Sequence, residues 1–164
     1  LVTPRGPRHP IVGARTIEAG SVADGLPPHR PWRLDPPVMR FLLVCLGGAV
    51  GTGARYLVGG LVERATGSTF PWGTLGVNLL GSFLLGLVMH VALTTDMLSP
   101  TLRFTLTTGV LGGFTTYSTF NYETVESLKA GAWGHAGLYV ALTVVTCVVA
   151  GFLGLAAGRA LAGN

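Results

Sequence analysis

Three observations predict an all-α integral membrane protein with four transmembrane helices. Only 11% of the 164 residues are charged and 49% are apolar, against about 25% charged in a soluble domain. The mean hydropathy is +0.55. From Arg40 onward the apolar sequence falls into four runs, each close to the roughly 20 residues a helix needs to cross the hydrocarbon core.

The first 38 residues stand apart. They carry eight of the ten prolines, five of the eleven basic residues (Arg5, Arg8, Arg15, Arg30 and Arg33), and no run long enough to span. Such a composition buries too little to offset its ordering entropy. It also lacks the basic stretch leading into an apolar core that marks a signal peptide. The first methionine is Met39. Residues 1–38 therefore read either as a disordered Pro/Arg-rich extension or as sequence upstream of the true start, with the four-helix transmembrane domain at 39–164. The formal charge of +4 does not signal nucleic acid, because no aromatic-studded basic patch accompanies it.

The spans follow in order. Span one, 41–62, repeats small residues at Gly47 and Gly51, a spacing that lets helix backbones approach closely. Span two, 72–93, contains no Asp, Glu, Lys or Arg, and repeats small residues at Ser82 and Gly86. Span three covers 102–128. Span four, 133–161, places Ala150, Gly154 and Gly158 four apart. Pro71 and Pro100 stand where helices begin, the position proline tolerates best.

Setting the first 38 residues aside, Arg40, Arg103 and Arg159 fall on one side, and Arg64 and Lys129 on the other. The positive-inside rule needs an asymmetry to fix orientation. This one is slight enough that the protein could insert both ways up and pair with an inverted copy of itself.

Span three holds the oddest sequence. Gly112-Gly113 is followed by the hydroxyls of Thr115, Thr116, Ser118 and Thr119. Glycine weakens a helix, and short hydroxyl side chains compete for its backbone. A break is expected there; the alternative is an ordinary helix whose hydroxyls bond back to the preceding turn. Freed carbonyls at membrane depth can hold a cation and freed amides an anion. In span two, Thr74, Asn78 and Ser82 lie four apart on one face. A carboxamide in a bilayer is costly without a partner. Asn78 either offers its two N–H groups to an anion or ties two helices together. Tyr139, Thr143 and Cys147 share the same spacing in span four. Arg55 and Glu123 either snorkel to an interface or pair with one another. His90 reads as interfacial. Cys45 and Cys147 sit in apolar runs and read as small buried hydrophobes. No nucleophile–base set or metal-ligand cluster appears, so no enzymatic activity is expected.

These residues resemble a known family. Gly47-Gly48-Ala49-Val50-Gly51-Thr52-Gly53-Ala54-Arg55-Tyr56 is similar to the first-helix signature of the Fluc/CrcB fluoride channels. The stretch from Pro71 through Trp72, Thr74 and Asn78 to Ser82 resembles the second-helix signature, and Gly112 to Phe120 with Glu123 the third. The resemblance covers about 125 residues and leaves out the N-terminal segment. It implies an antiparallel dual-topology dimer, a homodimer or a pair of paralogous subunits, with two fluoride pores in the cell membrane. It implies a broken third helix and a structural sodium ion at the dimer centre, on the backbone carbonyls of Gly112 and Thr115. It places Asn78, Tyr117, Phe120, Tyr139 and Thr143 along the fluoride path. Thr74, Ser82, Ser118 and Thr119 join them as neighbouring hydroxyls, with Arg55 and Glu123 in structural or vestibule roles. One departure is Tyr117, where the family usually has phenylalanine; another is Cys147, where a hydroxyl would suit a polar track. The implied activity is passive fluoride export that lowers fluoride toxicity. A proton-coupled exporter of cationic drugs would want a carboxylate in span one, and 41–62 has none. A scaffold subunit would not need Asn78 together with the hydroxyl-rich break.

Overall fold

The computed structural model describes residues 37–163. They are all helix or connecting loop, with no strand among the described residues. The elements are α1 (Pro37–Thr66), α2 (Trp72–Thr94), α3 (Pro100–Phe104), a π-helical segment (Thr105–Leu111), α4 (Gly112–Phe114), α5 (Tyr117–Lys129) and α6 (Trp133–Ala162). The expected extension over 1–38 lies outside the described residues except at its end, where α1 already begins at Pro37, two residues ahead of Met39.

The ends follow local chemistry. Ser99 caps α3 by accepting from the Leu102 amide at 3.2 Å, with Pro100 in the first turn. This suits a residue that has no N–H to satisfy. α6 stops at Gly163, whose φ of 74° is left-handed, the usual glycine terminator.

α1, α2 and α6 are each long and apolar enough to cross a membrane. Large apolar side chains on them face outward, among them Phe41, Leu57, Leu80, Val145 and Phe152. Lipid, not water, would cover such a surface. Residues 100–129 cover a fourth stretch, but they do so in pieces.

Packing between helices is backbone to backbone. A Cβ on Gly51 would fall on the Val110 carbonyl oxygen, and one on Gly47 would come within 2.9 Å of Thr105 O. These glycines seat α1 against the π-helical segment. Gly86 and Gly154 do the same between α2 and α6, abutting the carbonyls of Gly151 and Phe83. The small-residue spacing read from the sequence therefore marks two close-packed pairs. The π turns begin where Thr105 and Thr107 donate their hydroxyls back to Thr101 O (2.9 Å) and Arg103 O (2.8 Å). Such back-bonding perturbs a helix ladder.

Candidate functional site

The helical ladder of residues 100–114 stops at Phe114. Thr115 (φ −78°, ψ 157°) and Thr116 (φ −148°, ψ 111°) are extended, and α5 starts afresh at Tyr117. Thr116 is buried, 6% exposed, so its backbone groups need partners. One side chain provides both. The Thr116 amide donates to Asn78 Oδ1 at 2.7 Å, and Asn78 Nδ2 donates to Thr116 O at 3.0 Å. The carboxamide on α2 thus stands in for a strand partner. The Thr116 hydroxyl caps α5, accepting from the Thr119 amide at 3.2 Å and donating to Thr119 Oγ1 at 2.9 Å. Ser118 Oγ lies 3.3 Å from the same hydroxyl.

These bonds release two carbonyls. In an unbroken helix Gly112 O would accept from the Thr116 amide, and Thr115 O from the Thr119 amide. Both amides are spent on side chains instead. Gly113 O, between them, accepts from Thr52 Oγ1 at 3.4 Å. Gly112 is exposed.

Below the break lies a cavity of about 360 Å³ lined by Asn78, Ser82, Tyr117, Phe120, Thr143 and Cys147, among others. It gathers five of the nine residues expected along an ion path. Asn78 keeps one N–H after serving Thr116. Thr143 Oγ1 is buried without a hydrogen-bond partner among the described residues. The Tyr117 ring, 77% exposed, lies 5.8 Å from that of Phe120. Phe120 in turn meets Tyr139 edge-on at 5.1 Å.

Thr74, Ser118, Thr119 and Tyr139 do not line this cavity. Thr119 and Ser118 serve the cap. Thr74 and the fully buried Tyr139 both donate to Glu123, at 2.8 Å to Oε1 and 2.7 Å to Oε2. Glu123 therefore neither snorkels free nor pairs with Arg55. The one ion pair among the described residues is Lys129–Glu126. Arg55 instead lines a separate cavity of about 330 Å³ with Thr52, Glu63, Thr74, Thr116 and Thr119. His90 is half-buried and packs its ring against Gly158.

Glu123→Ala should destabilise the fold more than Tyr139→Phe. The first leaves two buried hydroxyls without an acceptor, at about 1–3 kcal/mol each. The second removes the buried hydroxyl itself and leaves Glu123 half-exposed with Thr74 still bound. Thermal unfolding of the purified variants in detergent measures the order; equal melting temperatures would remove Glu123 from this bracing role.

Two participants had no signal in the sequence. Phe70 sits in a connecting loop, yet its ring meets Tyr139 at 5.4 Å and His135 at 5.2 Å, both edge-on. Thr52 is one hydroxyl in a glycine-rich run, and its reach to Gly113 spans 61 positions.

Known proteins resemble this chain over most of its length. The model of the family described as "CrcB-like protein, Camphor Resistance (CrcB)" matches residues 42–155. A protein of Sorangium cellulosum named "Fluoride-specific ion channel FluC" is 48% identical over 122 residues, 74% of this chain and 96% of that protein. Proteins of the same name from Anaeromyxobacter sp. (52% over 124 residues, 76% and 98%) and Geobacter sulfurreducens (49% over 120 residues, 73% and 97%) are similar to the same extent.

Proposed function

This chain belongs to the CrcB-like family, and from that premise we propose that it is a fluoride-specific channel of the cell membrane, exporting fluoride passively down its gradient. The observation that carries the reading is the cavity beside the break, where Asn78 has an uncommitted N–H and Thr143 a buried, unpartnered hydroxyl. Fluoride is small and strongly hydrated. A pore must replace its water with donors, and hold it loosely enough to let it go. Asn78, Ser82 and Thr143 supply neutral donors. Tyr117 and Phe120 supply ring edges, the positive part of the aromatic quadrupole. Among the described residues no lysine or arginine lines the cavity, so none of them sets a bare cation there to trap the ion. We assign Ser118 and Thr119 to holding the break rather than to touching fluoride, since both are engaged at Thr116. Thr74 and Tyr139 act through Glu123, and Arg55 lies in the neighbouring vestibule.

Residues 100–129 make the fourth crossing in this reading, broken at Thr115-Thr116. The exposed Gly112 and Tyr117 would face a second subunit, identical or paralogous, inverted in the membrane. Gly112 and Thr115 would hold a sodium ion there through their carbonyl oxygens. Their fit is chemical: both carbonyls lack their helical donors, and neutral oxygens suit a hard cation. A bound sodium ion would supply a fixed positive charge at the break.

Tyr117 tests which group serves the anion. Tyr117→Phe keeps the ring edge and should preserve fluoride selectivity, with at most about a tenfold change in rate, the worth of one net hydrogen bond. Tyr117→Ile removes the ring and should cut flux severely. Fluoride efflux from liposomes carrying each variant is the measurement. Equal loss in both would make the hydroxyl the essential group.

A further inference from the structure

We propose that Arg40 and Arg103, both set against the ring of Phe104, form a binding site for the phosphate of an anionic membrane lipid. The Arg40 guanidinium lies 5.5 Å from the centre of that ring and the Arg103 guanidinium 5.6 Å. Two like charges are thereby drawn to one side chain. Neither makes an ion pair with any described carboxylate. Arg40 Nε is moreover buried without a hydrogen-bond partner among the described residues. A desolvated guanidinium donor is costly to leave unpaired, so the arrangement is incomplete as it stands.

The position selects the ligand. Arg40 is in the first turn of α1 and Arg103 in the short α3 that opens the third stretch. Both are therefore at helix ends, where lipid headgroups lie. Phe104 is 40% exposed, so the two guanidinium groups it gathers are open to the surrounding lipid. The guanidinium fork matches phosphate oxygens two at a time, which a monatomic anion cannot exploit. None of the three residues lines the cavity beside Asn78, so the site is separate from the ion path. Basic pockets between membrane helices bind anionic headgroups in this manner.

Purified full-length protein in uncharged detergent, with phosphatidylglycerol titrated and retention read by native mass spectrometry, tests the proposal. At about 1 kcal/mol per basic residue near an anionic surface, R40Q and R103Q should each weaken retention roughly fivefold, and the double variant about thirtyfold. R40K/R103K keeps the charge without the fork and should fall between wild type and the double glutamine variant. Thermal unfolding of R40Q/R103Q at the wild-type temperature shows that its loss of lipid is not a loss of fold. Phosphatidylcholine should be retained weakly, and millimolar inorganic phosphate should not displace phosphatidylglycerol. Equal retention by wild type and R40Q/R103Q would overturn the proposal, as would equal retention of the two lipids. Displacement by inorganic phosphate would overturn the lipid assignment in favour of the free ion.

Discussion

Asn78→Leu is expected to abolish fluoride efflux. Leucine is close in volume but offers no donor to the anion. It also strips both hydrogen bonds from Thr116, whose amide and carbonyl Asn78 holds at 2.7 and 3.0 Å. Each buried group left unpaired costs about 1–3 kcal/mol, so the break itself should loosen and the melting temperature fall. Asn78→Asp separates the two roles. Its carboxylate still accepts from the Thr116 amide at nearly the same volume but no longer donates to Thr116 O, so it should cost less stability than leucine, and it sets a negative charge beside the cavity. The fold should persist while efflux is lost. Undiminished efflux in Asn78→Leu would take Asn78 out of the ion path and leave it a brace.

Gly51→Ala should cost about 3 kcal/mol or more, at the upper end for overpacking. Its added Cβ would fall on Val110 O and come within 2.9 Å of the Phe114 amide nitrogen. Both are backbone atoms and neither can swing aside. α1 would have to move off the segment that leads into the break. Gly134→Ala is the matching control. It also lies in a helix, but nothing stands within 4 Å of its Cβ. With no clash, the usual preference of alanine over glycine, about 1 kcal/mol in a helix interior, sets the sign, so Gly134→Ala should be neutral or slightly stabilising. Folded yield and thermal unfolding in detergent report both. If Gly51→Ala melts with wild type, the close approach of α1 is not needed for the fold.

Hydropathy made α1, α2 and α6 legible, because a helix in lipid must be apolar over its whole length. The four-residue period of Thr74, Asn78 and Ser82 put them on one face, and the Gly-Gly and hydroxyl run marked where the helix yields. A period names a face but not what the face meets. Thr74 meets Glu123 across 49 positions and Asn78 meets Thr116 across 38, so one stripe serves two different jobs. The same limit hid the partners of Glu123. From sequence Glu123 either snorkels or pairs with Arg55, whereas two hydroxyls hold the carboxylate. The π turns were also not legible, because Thr105 and Thr107 look like any other hydroxyls in an apolar run until their back-bonds are seen.

Passive, selective fluoride conduction is tested most directly by loading liposomes that carry the purified chain with fluoride and chloride together. External electrodes then follow each anion once the membrane potential is released by a potassium ionophore. Rapid fluoride efflux with chloride retained, and no fluoride efflux from Asn78→Leu liposomes, is the predicted result. Fluoride retained by the wild-type chain, or chloride leaving as fast as fluoride, would contradict it.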